Sequence, residues 1–133
     1  MTFLKTFLTT IVVLGVIDAV WLLVISKNIY QKAIGFLMPE KVDLLPVVLV
    51  YIVLAIGLVF FVVLPALTGG FPLFSAVLRG ALLGFVVYAV YDLTNLATIQ
   101  GWPVWISLID IAWGTTLSAL TTGVVVWVLR FLS

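Results

Sequence analysis

Four long apolar runs, almost free of charge, set the pattern of this chain. They cover about residues 3–25, 44–66, 75–97 and 105–129, and each is long enough to cross roughly 30 Å of hydrocarbon, which takes about 20 helical residues. The connection from Ser26 to Asp43 is the most polar stretch, with Lys27, Lys32, Pro39, Glu40 and Lys41. Within it Ile29, Ala33, Ile34 and Leu37 recur at helical spacing, which predicts a short helix lying at the membrane interface. The other two connections, Thr68–Pro72 and Gln100–Pro103, hold the glycines and prolines that stop helices. Turns this short make successive spans antiparallel. The expected fold is therefore all-α: a single transmembrane domain over residues 1–133, built as an up-down four-helix bundle. Lys5 ahead of an apolar run resembles the start of a signal peptide, but the run is too long, contains Asp18 and lacks a small-residue cleavage site, so a retained helix is expected.

Composition agrees with the pattern and narrows the chemistry. The chain is 65% hydrophobic and 8% charged with a mean hydropathy of +1.43, whereas soluble domains carry about 25% charged residues. Its surroundings are the lipid bilayer. The absence of cysteine and histidine removes thiolates, disulfides, axial imidazoles and the usual zinc ligands, so neither metal nor cofactor is expected. Six basic and five acidic residues, scattered along the chain, build no nucleic-acid surface. Lys5, Arg79 and Arg130 on one side balance Lys27, Lys32 and Lys41 on the other, so the positive-inside rule leaves orientation open. Trp102, Trp105 and Trp127 fall near span ends, where indoles favour the headgroup region.

The candidate chemistry lies in three acids inside the spans. Asp18 is late in the first run and Asp92 late in the third, while Asp110 is early in the fourth, which runs the other way. With alternating directions and a rise of about 1.5 Å per residue, all three reach a similar depth. A carboxylate there costs on the order of 3 kcal/mol and usually marks a proton, ion or ligand site. No cation stands beside them, since Arg79 is near the far end of its span and Lys27 near the interface. Protonation, a bound cation or a water-filled vestibule must neutralise them.

Helical spacing adds neighbours. Asp18 is followed one turn later by Trp21, and Asp110 by Trp113, a repeated device that suits a cation or an aromatic ligand; Trp21 fits an interfacial belt equally well. In the third span Gly84, Tyr88, Asp92 and Asn95 form a polar stripe, and in the fourth Ser107, Asp110, Gly114, Ser118 and Thr121 form another. Both must face protein or water, because lipid cannot satisfy them. The hydroxyls are expected to hydrogen-bond between helices, and Gly80-x-x-x-Gly84 and Ala119-x-x-x-Gly123 to bring helices close. The second span carries no charge, and its expected role is packing and lipid contact.

The run Tyr91-Asp92-Leu93-Thr94-Asn95-Leu96-Ala97-Thr98, then Gly101-Trp102-Pro103, then Asp110-Ile111-Ala112-Trp113-Gly114-Thr115, resembles a bacterial family of small predicted membrane proteins, domain of unknown function 2177. Asp18 with Trp21 matches its first-helix pattern, and the similarity covers nearly the whole chain. The resemblance implies a four-span protein of the bacterial inner membrane and supplies no activity.

Three functions remain. The first is a binding or transport protein in which Asp18, Asp92, Asp110 and Asn95 hold a proton or a cationic small ligand between Trp21, Tyr88 and Trp113, with a homodimer enclosing the volume that four helices lack. The second is a lipid-modifying enzyme using paired carboxylates, placed lower because no cysteine nucleophile, histidine base or phosphate-binding loop is present. The third is a structural or accessory subunit whose polar residues lock helices together.

Overall fold

The computed structural model describes residues 2–133. Four helices are long and apolar enough to cross a membrane: α1 (Phe3–Ile25), α3 (Leu44–Gly69), α4 (Leu73–Thr98) and α5 (Val104–Leu132). A short α2 (Ile29–Ile34) and a 3₁₀ turn (Gly35–Leu37) occupy the first connection. The first predicted span is thus unchanged, the other three are extended by one to three residues at one or both ends, and the all-α bundle is the architecture formed.

Local sequence explains where the helices begin and end. The Thr2 hydroxyl accepts from the Lys5 amide at 3.3 Å to cap α1, and the Asp43 carboxylate accepts from the Leu45 amide at 3.2 Å to cap α3. Pro72 and Pro103 stand immediately before α4 and α5, where the missing N–H costs nothing. Gly70 adopts φ 68° to end α3, and the Phe71 amide reaches back to the Ala66 carbonyl at 3.3 Å. Arg130 Nη2 donates to the same carbonyl at 3.0 Å and also to that of Phe71, while Arg79 lies 4.3 Å above the Phe71 ring. Both arginines are thereby committed to the α3–α4 turn, where cations complement a helix C-terminus. Arg130 is about 30 Å along α5 from Asp110, at the helical rise of about 1.5 Å per residue.

Helix α5 is the centre of the bundle and packs along α4 most extensively, then on α1. The approach of α4 to α5 requires glycine. A Cβ at Gly84 would overlap the Gly114 carbonyl and the Ser118 side chain, one at Gly80 would strike Thr122, and one at Gly114 would enter the Tyr88 ring. Between helices in lipid, where burial gains little over acyl contact, such close van der Waals fit supplies the cohesion. Val63, Ala66, Ala76, Val125, Val126 and Leu129 form an apolar layer at the arginine end. A second layer of Leu14, Leu54, Ala55, Leu58 and Leu117 leads to the polar end.

Helix α3 meets α4 around its π-helical turn Val59–Val63, and its N-terminal half diverges, leaving Leu44–Val50 exposed. An open groove between α3 and α4 results.

The hydroxyls depart from the expected interhelical role. Thr6, Thr10, Thr115 and Thr116 each donate to the carbonyl four residues back in their own helix, at 2.8–3.0 Å. Ser118 and Thr122 are buried against the glycines of α4, and they and the buried Thr121 have no partner among the described residues. A hydroxyl in a helix has a carbonyl of its own within reach, so it needs no neighbour to be satisfied. Their value at the α4–α5 contact lies in small size.

Candidate functional site

The polar end is built from α1, α2, α3, α4 and α5 together. Asp18 belongs to a buried stripe of α1 with Thr6, Thr10 and Leu14, at spacings of one helical turn. One carboxylate oxygen, Oδ1, accepts from Trp113 Nε1 of α5 at 2.8 Å, and the other, Oδ2, accepts from the Tyr51 hydroxyl of α3. Asp110 of α5 accepts at Oδ1 from the Tyr30 hydroxyl of α2 at 2.8 Å, and that hydroxyl in turn accepts from Trp21 Nε1 at 3.2 Å. The two indoles stack with centroids 4.5 Å apart and planes within 9°.

The repeated Asp-x-x-Trp pattern is therefore used crosswise. Each indole serves the acid of the other helix, Trp113 directly and Trp21 through the Tyr30 phenol. All side-chain donors to Asp18 and Asp110 among the described residues are neutral phenols and an indole, so neither acid has a cationic partner there. Burial and the adjacent Asp110 carboxylate push the Tyr30 phenol above its ordinary range, so it stays a protonated donor.

Asp92 is different. It has no solvent exposure, and neither carboxylate oxygen has a hydrogen-bond partner among the described residues. The side chains of Asp110 and Ser107 are the polar groups that face it. Ser107 accepts from Trp102 Nε1 at 3.0 Å, which orients its hydroxyl while its own O–H stays available as a donor. Tyr88 lies among all three acids and Tyr51, its ring seated over Gly114.

Of the residues singled out in the sequence, Asp18, Trp21, Asp110 and Trp113 are thus joined through hydrogen bonds and ring stacking, Asp92 abuts Asp110, and Tyr88 fills the space between. Asn95 is half-buried beside Tyr91 and makes no hydrogen bond to an aspartate. Trp102, expected only to mark the interface, is half-buried and meets the Tyr91 ring edge-on at 6.3 Å. Trp105 and Trp127 are exposed near helix ends.

Two site residues escaped the sequence reading. Tyr51 sits in the span assigned to packing and lipid contact, and Tyr30 in the helix assigned to the interface. A polar hydroxyl inside an otherwise aliphatic span was the available signal for Tyr51, because lipid offers it no partner. Tyr30 gave none beyond its aromatic amphipathy. No group of three or more acidic, histidine or cysteine side chains placed to hold a metal occurs among the described residues.

We expect Trp113→Phe to keep a ring on Trp21 and to lose the hydrogen bond to Asp18, lowering stability by about 1.5–3 kcal/mol, the range for a bond to a charged group. Thermal unfolding in mild detergent measures it, and Tyr51→Phe should act in the same direction.

Four apolar spans around a buried acid cluster define an integral membrane protein. The chain belongs to the family of predicted membrane proteins DUF2177, whose family model matches residues 3–127. No curated protein and no solved structure matches it.

Proposed function

We propose that this protein binds a cationic small molecule in exchange for a proton held between Asp92 and Asp110, as a proton-coupled binding or transport protein. The observation that carries the reading is the bare Asp92 carboxyl, fully buried and facing a second acid. Two carboxyl groups in contact can hydrogen-bond only if a proton lies between them, since an ionised carboxylate is an acceptor alone. A cation can take the place of that proton, because either one neutralises the same charge.

Asp18 has a separate role. Its oxygens are committed to Trp113 and Tyr51, which fixes α1 and α3 around the pair. Tyr30 closes the aqueous side by joining α2 to Asp110, a short path from acid to interface. The scaffold alternative accounts for Asp18 and its donors but gives no use to Asp92, and the enzyme alternative lacks an activated nucleophile.

The test uses butylamine, which like a lysine side chain is fully protonated at neutral pH. Addition to purified protein in weakly buffered detergent should release about one proton per bound amine, read with a pH dye, and affinity should rise with pH by up to about tenfold per unit. Asp92→Asn should abolish the release and flatten the pH dependence while the protein still folds. Proton release unchanged in Asp92→Asn would refute the exchange.

A further inference from the structure

The groove between α3 and α4 opens laterally toward the surface that the bilayer covers, and its volume is about 790 Å³, within the 300–1,000 Å³ common for small-molecule sites. We infer that it binds the tail of a single-chain cationic amphiphile, whose ammonium head reaches the acid cluster past Tyr88. The inference rests on the proton-exchange reading and names the class of ligand that exchange would serve.

Three observations lead to that occupant. The walls are aliphatic, with Leu49 and Val53 on α3 facing Leu83 and Val87 on α4, so they suit a hydrocarbon chain and give a sugar or nucleotide nothing to bond. Gly57 forms part of the floor. A Cβ there would meet only Leu83 Cδ2, at 3.9 Å, so the glycine leaves the groove deep without being needed for helix contact. Polarity enters at one place, where Tyr88 and Tyr91 line the groove one turn or less from Asp92, and Tyr88 stands between the groove and all three acids.

Charge selects the head. Acceptors dominate beyond Tyr88, and the donors present there, Tyr30, Tyr51 and Trp113, already bond to Asp110 and Asp18. Asp92 has none. A carboxylate or phosphate head would meet the repulsion of buried acids with only the neutral hydroxyls of Tyr88, Tyr91 and Ser107 to offset it, whereas an ammonium head supplies both opposite charge and N–H groups. The shape of the groove separates one chain from two: it is a single slot between two helices, closed at Val59–Val63 where α3 and α4 meet.

The probe is dodecylamine carrying a diazirine near its tail end, added to the protein in phosphatidylcholine nanodiscs and photolysed, with labelled peptides read by mass spectrometry. Labelling should concentrate on residues 49–53 and 83–87, compete with unlabelled dodecylamine and not with dodecanoate. Gly57→Leu should reduce it by about tenfold or more, as filling a chain-binding slot does, and should leave butylamine-driven proton release intact. Val53→Trp, at a lipid-exposed position, makes the same test should Gly57→Leu fail to fold. Labelling spread evenly over the spans, unaffected by both substitutions, or displaced equally by dodecanoate overturns the groove proposal. Proton release that survives in that case leaves the acid-pair reading standing alone, and its absence from wild-type protein removes the acid-pair reading instead.

Discussion

Gly84→Leu is expected to abolish the folded protein, while the same substitution at Gly57 is tolerated. The two glycines lie in apolar helices and gain similarly in helix propensity, so the difference isolates packing. At Gly84 the first added carbon would overlap the Gly114 carbonyl oxygen and the Ser118 side chain. A backbone carbonyl cannot rotate away, so α4 must move off α5 along the largest interface in the bundle. Overpacking costs about 1–3 kcal/mol where side chains can yield, and more where backbone must move. That is a large part of the 5–15 kcal/mol that typical folds possess. Separation would also carry Tyr88 off Gly114 and Asp92 away from Asp110, so the site would be lost with the interface. At Gly57 the nearest atom is a flexible leucine methyl at 3.9 Å, and the new side chain extends into open groove. Size-exclusion profiles of the two variants in mild detergent make the comparison: aggregation or absence for Gly84→Leu against a wild-type peak for Gly57→Leu. A wild-type peak for both would mean that α4 and α5 can repack without their close contact.

The spans could be read from sequence because the bilayer enforces them: any stretch that crosses must bond its own backbone, and length with apolarity nearly suffices. The depth of the acids was equally accessible, since Asp18, Asp92 and Asp110 follow from direction and rise alone. Partners were not. Asp18 and Trp21 are one turn apart, which invites pairing within the helix, yet the indole of Trp21 reaches Tyr30 and Asp18 is served from α5. Spacing fixes which residues share a face, whereas side-chain rotamers and the neighbouring helix decide where the donor points. Tyr51 was hidden for a related reason. No acid or amide on its own helix lies at helical spacing from it, and only the packing of α3 on α1 brings it to Asp18. The groove depends on the divergence of α3 from α4 after a π-helical turn at Val59–Val63, and that run of valine and phenylalanine reads as ordinary apolar helix. The turn at Trp21–Ile25, closed by Ser26 bonding the Trp21 carbonyl at 2.7 Å, is similarly silent in sequence.

Asp92→Leu should raise stability, and Asp18→Leu should lower it, although the chemical change is the same. Both acids are buried, at 0% and 8% exposure, and sequence alone gives no reason to separate them. What separates them is who is left behind. Removing the Asp92 carboxyl strands no indole or phenol donor and leaves Asp110 its bond from Tyr30; what is lost is the one hydrogen bond through the proton shared with Asp110, against the gain of taking a second acid out of the contact between α4 and α5. Replacing buried ionic groups by well-packed apolar ones of similar volume is often neutral or stabilising by about 1–4 kcal/mol. Removing the Asp18 carboxyl instead strands the Trp113 indole N–H and the Tyr51 hydroxyl, two donors within the spans that now point at an apolar side chain. Each unsatisfied group costs about 1–3 kcal/mol, so a loss of roughly 2–6 kcal/mol is expected. Thermal midpoints of the two variants against wild type decide the matter, and the proton-release assay completes it. A stabilised Asp92→Leu protein that no longer releases protons would show an acid retained at the expense of the fold, as groups kept for function often are. A destabilised Asp92→Leu protein would mean that the carboxyl holds α4 to α5 structurally, and the exchange reading would lose the observation on which it stands.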